Sequence, residues 1–370
     1  MFKKKAMIYP VDRQAVPLLR YNYLLKEYDI EYAVSPKGWG VSGKDCGVLD
    51  GGNKLNKIIT TDFEEALQLC DCVIFAESDM PLSFEEMIFP KLKRALETGK
   101  DIICTLEIPM EFQEAIDKLD IKSKFTYYPK EKCFNFKPIE HEYIYDIGVP
   151  VIGVFGVAER SSKFNIQLAL REKLIAQGYK VSQIGTKHYS ELFGFHSFPK
   201  FMMSSNISES NKIMLLNHFI KKIEVEEMPD IIIVGVPGGL MTYNNNYTNR
   251  FGIMAFEVCS AIQFDSVVVS TLYNDYNENY FTAMKQALRY RLGIEVDAFN
   301  MAPLKGNFEV LDDKNRFDYL TLSSDFIDNK IKTYSNLDFK IYNVLNDKNN
   351  EELMSYLVDK LAGYSDIQAI

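Results

Sequence analysis

Short apolar runs alternate with amphipathic stretches along most of this chain, and no other feature limits its fold so strongly. In the first half, the runs at 5–9, 30–34, 72–76 and 101–106 read as strands. Val16, Leu19, Tyr23 and Leu24 recur at helical spacing and predict a helix over 16–28. Asp62, with Glu65 three residues later, marks a helix start, and the amphipathic stretch 84–98 stops at Gly99. In the second half, strands predicted at 151–156, 179–185, 231–234 and 266–270 alternate with helices over 163–177, 211–225, 255–262 and 280–292. Such alternation predicts an α/β protein whose parallel sheets are covered on both faces. With 370 residues, two domains are expected. The stretch 129–150 holds three prolines and no sustained period, so the break belongs there. The expected plan is a Rossmann-like parallel sheet over 1–140, a P-loop NTPase-like parallel sheet over 150–335, and a C-terminal helical tail over 336–370. After about Asn307 the chain grows rich in Asp, Asn and Lys, with one final helix expected over 351–361.

Composition narrows the function classes. Lys+Arg 42 against Asp+Glu 51 leaves a net charge of -9, which argues against a broad nucleic-acid surface. No apolar run reaches the length of about 20 residues that a membrane span needs. The basic start of the chain lacks the apolar core of a secretory signal, and the expected compartment is cytoplasmic. Cys46, Cys70, Cys72, Cys104, Cys133 and Cys259 are scattered without a C-x-x-C pair. None of His141, His188, His196 and His218 stands at zinc spacing from them, so structural thiols and no metal are expected.

Four loops carry the residue types that chemistry needs. The first, Gly38-Trp39-Gly40-Val41-Ser42-Gly43, spells G-x-G-x-x-G after a predicted strand. The residues after it, Lys44 to Asn53, have no helical period. No helix N-terminus would then face a pyrophosphate, and a long mobile loop is expected. In the second, strand 151–156 ends at Gly156 and the chain runs through Glu159, Arg160, Ser161 and Ser162 to Lys163 at a helix start. Strand, loop and helix-initial lysine form the plan of a phosphate-binding loop, whose amides cradle the anion while the lysine meets its charge. The loop is one residue longer than the standard one. It resembles the G-x-x-x-x-x-G-K-[ST]-T loop of dethiobiotin synthetase and related ATPases. Ser162 replaces the glycine before lysine, and Phe164 replaces the hydroxyl that would hold magnesium. Asn165 offers an oxygen one position later, a weak ligand for so hard a cation.

The third loop, 185–199, holds His188, Glu191 and His196, which could supply an acid–base pair. Its alternative is a polar loop packed through Phe193, Phe195 and Phe198. The fourth leaves strand 231–234 through Gly238 and Gly239, where the backbone can approach a ligand closely, and Arg250 comes next as a further cation. His188, Glu191, Gly238 and Gly239 are expected to line the cleft of the Lys163 loop.

The strings SPKGWGVSGKD, GVFGVAERSSKF, SQIGTKHYSELFGFHSFPKFM, VGVPGGLMTYNN and NRFGIMAFEV resemble the clostridial peptide maturation system proteins along nearly the whole chain. That resemblance implies a place beside cysteine-rich, ribosomally made peptides and their radical-SAM maturase. The second half more distantly resembles a P-loop family that includes D-glutamate N-acetyltransferases, with a similar two-domain plan. Asp230 and its strand match that family, but Gly235 stands where its E-G-Q-G-S-L motif has Glu.

Three functions are compatible with these residues. One is an accessory protein of peptide maturation that binds ATP, another nucleotide or a phosphorylated ligand through Gly156, Arg160, Ser162, Lys163, Asn165, Gly238 and Gly239. A second is an ATP- or acyl-CoA-dependent group transferase acting on the peptide, with His188 or His196 as general base. The third is a non-catalytic scaffold that grips the precursor peptide or the maturase through 38–52.

Overall fold

A computed structural model describes residues 3–80, 82–117, 124–128, 143–245, 247–311, 317–334 and 337–367. The chain divides into two compact units, one of Met1–Cys133 with His188–Gly194, the other of Phe134–Lys187 with Phe195–Ile370. The break expected between 129 and 150 falls largely outside the described residues.

The first unit contains strands β1 (Lys4–Tyr9), β2 (Tyr28–Val34), β3 (Ile59–Thr60), β4 (Cys72–Phe75), β5 (Asp101–Cys104) and β6 (Phe125–Tyr127). Its helices are α1 (Val16–Arg20), α2 (Phe63–Leu69), α3 (Phe89–Glu97) and α4 (Met110–Asp117). The strands pair in the order β3-β2-β1-β4-β5-β6, every pairing parallel. This is the 3-2-1-4-5-6 order of dinucleotide-binding sheets, with its topological switch between β1 and β4. The central strands are buried on both sides, β1 from Ala6 to Tyr9 and β4 from Cys72 to Phe75. On one face, Met7, Tyr9, Val73, Phe75 and Ile102 pack under Phe63, Leu67, Leu92 and Ala95 of α2 and α3. Asp62 caps α2 by accepting from the Glu65 amide at 3.0 Å.

Two expectations change here. The helix expected over 16–28 stops at Arg20. The Asn22 side chain instead accepts from the Ile30 amide at 2.8 Å and donates to Asp29, and this local bonding competes with helix propagation. The glycine-rich stretch is also tied down. Asp45 accepts from the amides of Gly47 and Leu55, each at 2.8 Å, and Arg20 forks onto Asp50 at 2.7 and 3.1 Å. No helix starts at Gly38, Gly40 or Gly43, whose positive φ values make them turns.

The second unit contains β7 (Val151–Gly156), α5 (Lys163–Ala176), β8 (Val181–Gly185), β9 (His196–Ser197), α6 (Glu209–Glu227), β10 (Ile231–Gly235) and α7 (Ile253–Ala261). It continues through β11 (Ser266–Leu272), α8 (Glu278–Leu292), β12 (Ala298–Ala302), the hairpin β13 (Leu304–Leu311) and β14 (Phe317–Thr321), α9 (Ser324–Ile331), β15 (Ile341–Tyr342) and α10 (Asp347–Ile367). Its parallel sheet runs β15-β12-β11-β7-β10-β8-β9, which centres β7 between β10 and β11. One face is filled by Ile166, Leu170 and Leu174 of α5 with Leu353, Leu357 and Val358 of α10. The other packs Leu216 and Ile220 of α6, Val258 of α7, and Phe281 and Leu288 of α8. The chain's final stretch thus supplies an edge strand and a covering helix to this unit. The hairpin and α9 were hidden by the polar composition after Asn307. Among the described residues no helix is long and apolar enough to cross a membrane.

Arg20→Ala leaves the Asp50 carboxylate buried without its guanidinium. It is expected to lower stability by about 3 kcal/mol in urea unfolding. A loss below about 1 kcal/mol would show that the loop is held without this pair.

Candidate functional site

The loop from Gly156 to Lys163 leaves the central strand of the second sheet, at its carboxyl end, and enters a 14-residue helix. Arg160 and Ser162 both take left-handed backbone, φ 63 and φ 60, without the freedom of glycine. Non-glycine residues so placed store strain, a common mark of ligand loops. Gly156 has no room for a side chain, since a Cβ there would meet Ser161 Oγ and Lys163. The Ser161 hydroxyl donates to the Ala158 carbonyl at 2.9 Å and closes the loop on itself.

A hydrogen-bond chain crosses the sheet beneath the loop. Ser270 on β11 donates to the Ser161 carbonyl, Asn300 on β12 donates to Ser270 Oγ at 2.8 Å, and the Val344 amide donates to Asn300 Oδ1 at 2.8 Å. Ser270 and Asn300 are fully buried. Neither was expected from the sequence, although a Ser and an Asn inside apolar strand runs are a readable signal: a buried polar side chain requires a partner.

Lys163 opens α5 and is itself buried. Its ammonium donates to the Gly238 carbonyl and reaches the Ala158 carbonyl at 3.5 Å. Burial pushes its pKa down to about 8, Glu159 opposes that shift, and Lys187 adds to it. Gly238, at φ 75, turns the chain so that its carbonyl faces the lysine. Gly239 is required for a different reason: a Cβ there would collide with the Asn249 amide. Asn249 Nδ2 donates to the Val157 carbonyl at 2.7 Å and to the Met241 carbonyl at 2.9 Å, clasping the loop after β7 to the loop after β10. It sits in a run of four left-handed residues, Asn249, Arg250, Phe251 and Gly252, with φ of 54, 50, 58 and 70. The structure therefore gathers Gly156, Arg160, Ser162, Lys163, Gly238 and Gly239 around one loop pair. Asn165 lies buried in the first turn of α5. Phe164, where a magnesium-holding hydroxyl was sought, is buried with its ring 6.1 Å from that of Phe195.

The histidines are divided between the two units. His188 and Glu191 belong to the first unit, where His188 Nδ1 pairs with the Glu77 carboxylate just past the end of β4. The adjoining Tyr189, buried, donates to the Gln14 carbonyl at 2.9 Å. This segment thus lies at the switch between β1 and β4. There Asp12 accepts from the Gln14 amide at 2.8 Å, from Ser78 Oγ at 2.7 Å and from the Asp79 amide at 2.6 Å. Burial, reinforced by Asp79, holds the Asp12 carboxyl above its ordinary range. His196 lies on the edge strand β9 of the second unit, 2.5 Å from Glu227, a carboxylate that also accepts from Ser182. His218 contacts the Tyr143 carbonyl at 3.0 Å, and His141 lies outside the described residues. Cys46, Cys104 and Cys259 have thiols raised to about 12 by burial, which suits packing rather than nucleophilic chemistry. Cys133 lies outside the described residues.

Geometry and fold together define a two-domain α/β protein, a Rossmann-like parallel sheet followed by a P-loop NTPase-like one. A DUF1611 family protein from Anabaena variabilis shares this fold, with a TM-score of 0.60 and 12% identity over 96% of this chain and 100% of that one. Lower similarity extends to a GTPase from Pyrococcus abyssi in its apo form, with a TM-score of 0.29 and 16% identity over 56% of this chain and 83% of that one. An amine dehydrogenase from Mycobacterium smegmatis gives a TM-score of 0.23 and 20% identity over 28% of this chain and 30% of that one. No family model matches the chain, and no curated protein matches it.

The lysine's burial has a sign that can be measured. Between pH 8 and the ordinary 10.5 the unfolded chain binds more protons than the folded one, so Lys163 contributes more to stability as pH rises through that window. Below pH 8 the cost of burying the charge is fully present. Wild type is expected to gain about 3 kcal/mol on Lys163→Met between pH 7 and 10.5. Urea unfolding of both proteins at several pH values checks this, and parallel pH profiles would refute it. Asn249→Ala strands the buried Val157 carbonyl and the half-buried Met241 carbonyl and is expected to cost about 2 kcal/mol in the same measurement.

Proposed function

We propose that this chain is an accessory protein in the maturation of a ribosomally made peptide, and that it binds a nucleotide or another phosphorylated ligand at the loop from Gly156 to Lys163. The observation that carries the binding half is the buried lysine at the head of α5, inside a strained loop at the carboxyl end of a central parallel strand. The peptide half rests on the likeness of five strings, from SPKGWGVSGKD to NRFGIMAFEV, to the clostridial peptide maturation system proteins. ATP is the first ligand to try. A bound nucleotide would bring its polyphosphate charge to amides and lysine. The chain's own part is to supply those donors and to keep the lysine desolvated.

The lysine's ammonium donates to the Gly238 carbonyl. An incoming phosphate oxygen takes over that bond and gives the ammonium a full counter-charge, which raises its pKa again. Binding above pH 8 therefore takes up a proton. Phe164 supplies no oxygen where a magnesium ligand would stand, so the loop relies on lysine and backbone donors rather than on a side-chain-held cation.

Calorimetric titration with ATP, ADP and acetyl-CoA, on wild type and Lys163→Ala, tests the reading. Wild type is expected to bind at least one of the three, and Lys163→Ala to bind it at least tenfold more weakly. At pH 8.5, heats measured in buffers of different ionisation enthalpy are expected to show proton uptake in wild type and none in Lys163→Met. Binding that survives Lys163→Ala unchanged would displace the site from this loop. If no ligand binds either protein, the scaffold reading stands in its place. A maturation assay with precursor peptide and its radical-SAM enzyme, with and without this protein, tests the pathway separately.

A further inference from the structure

The hairpin of β13 and β14 is separate from the Gly156–Lys163 loop, yet it grows from the same end of the sheet. It begins two residues after β12 ends, and the Tyr273 amide, just past β11, donates to the Leu304 carbonyl at 2.8 Å. Phe308 on β13 stacks on Tyr247 with ring centroids 4.7 Å apart and 19° between planes. It meets Tyr243 at 4.5 Å, Phe317 at 5.2 Å and Tyr319 at 5.7 Å, all edge to face. Phe308 is buried, but Tyr243, Tyr247, Phe317 and Tyr319 remain partly exposed. An aromatic wall therefore joins the hairpin to the stretch just after the Gly238–Gly239 turn.

Arg160 connects this wall to the phosphate loop. Its backbone is one of the loop's two strained non-glycine positions, and its guanidinium carbon lies 4.5 Å from the centre of the Tyr319 ring. A guanidinium over an aromatic face is held by the ring's quadrupole. The arrangement sets a polar, anion-ready loop beside partly exposed π-faces, which is the pairing that a phosphorylated ligand with a planar ring requires. A phosphorylated ligand without such a ring would make no use of the wall.

Resting on the phosphate reading, we infer that the ligand is a nucleotide whose base lies against the wall of Tyr319, Arg160, Tyr243 and Tyr247. Base stacking on aromatic side chains is tolerant of base identity, because every base presents a π-face. The wall therefore selects nucleotides over bare polyphosphates and discriminates only weakly among bases.

Titration calorimetry on the full chain with ATP and with inorganic tripolyphosphate separates base from phosphate recognition. Wild type is expected to bind ATP at least tenfold more tightly than tripolyphosphate. Tyr319→Ala is expected to weaken ATP at least tenfold while leaving tripolyphosphate within twofold, and Tyr319→Phe to restore ATP binding. Tyr319→Leu keeps apolar volume without a π-face and serves if the alanine variant loses its cooperative unfolding transition. Lys163→Ala is expected to weaken both ligands. A loss shared equally by ATP and tripolyphosphate in the Tyr319 variants would mean that the ring only shapes the loop, and would overturn the inference. So would equal wild-type affinity for the two ligands. Failure of wild type to bind either ligand would bring down the phosphate reading and this inference with it.

Discussion

Burying the Lys163 ammonium is the constraint around which the second unit is arranged. An ammonium taken out of water must meet oxygen atoms, and the Gly238 and Ala158 carbonyls supply them. Those carbonyls come from loops at the ends of two adjacent strands, β10 and β7, so the contact depends on the parallel register that sets both loops at one end of the sheet. Gly156 and Gly239 are fixed by the same crowding, because a side chain at either position would collide with the partners that close the loops.

The loops are held from both sides. Beneath, Ser270 and Asn300 pass a line of hydrogen bonds from the loop's Ser161 carbonyl to the backbone after β15. Beside, Asn249 clasps Val157 and Met241 from a left-handed run that three non-glycine residues adopt against their intrinsic preference. Such a conformation costs on the order of 1–3 kcal/mol per residue, and it persists because the surrounding bonds over-determine it. Among the described residues of this unit, the left-handed non-glycine positions other than Met228 all fall at this loop pair. From the same loop Arg160 reaches the Tyr319 ring and so ties the loop to the aromatic hairpin.

Much of this was legible in the residues. The apolar runs gave away β7, β10 and β11 because strands buried on both faces read as continuous hydrophobic stretches. Gly178 and Gly293 marked the ends of α5 and α8, and Asp62 marked the start of α2. Lys163 was found because the strand-loop-helix plan has a local signature. The hairpin was not found: its residues are polar and aromatic without clear alternation, and its stability comes from Phe308 reaching Tyr243 and Tyr247, some 60 residues away in sequence. The helix over 16–28 failed for a similar reason, since Asn22 spends its amide on β2 rather than on the helix.

By itself, the sequence determined the fold class and the strand-loop-helix plan that sets Lys163 at the head of α5, because periodicity, caps and glycine spacing act over neighbouring residues. Tertiary structure alone decided which polar residues share a site. His188 and His196, eight positions apart, go to different units and different carboxylates, whereas Ser161 meets Ser270 from 109 residues away, with Asn300 bonded behind it. Electrostatic and hydrogen-bond satisfaction of buried groups is a property of neighbours in space, and only the packed sheet makes those neighbours.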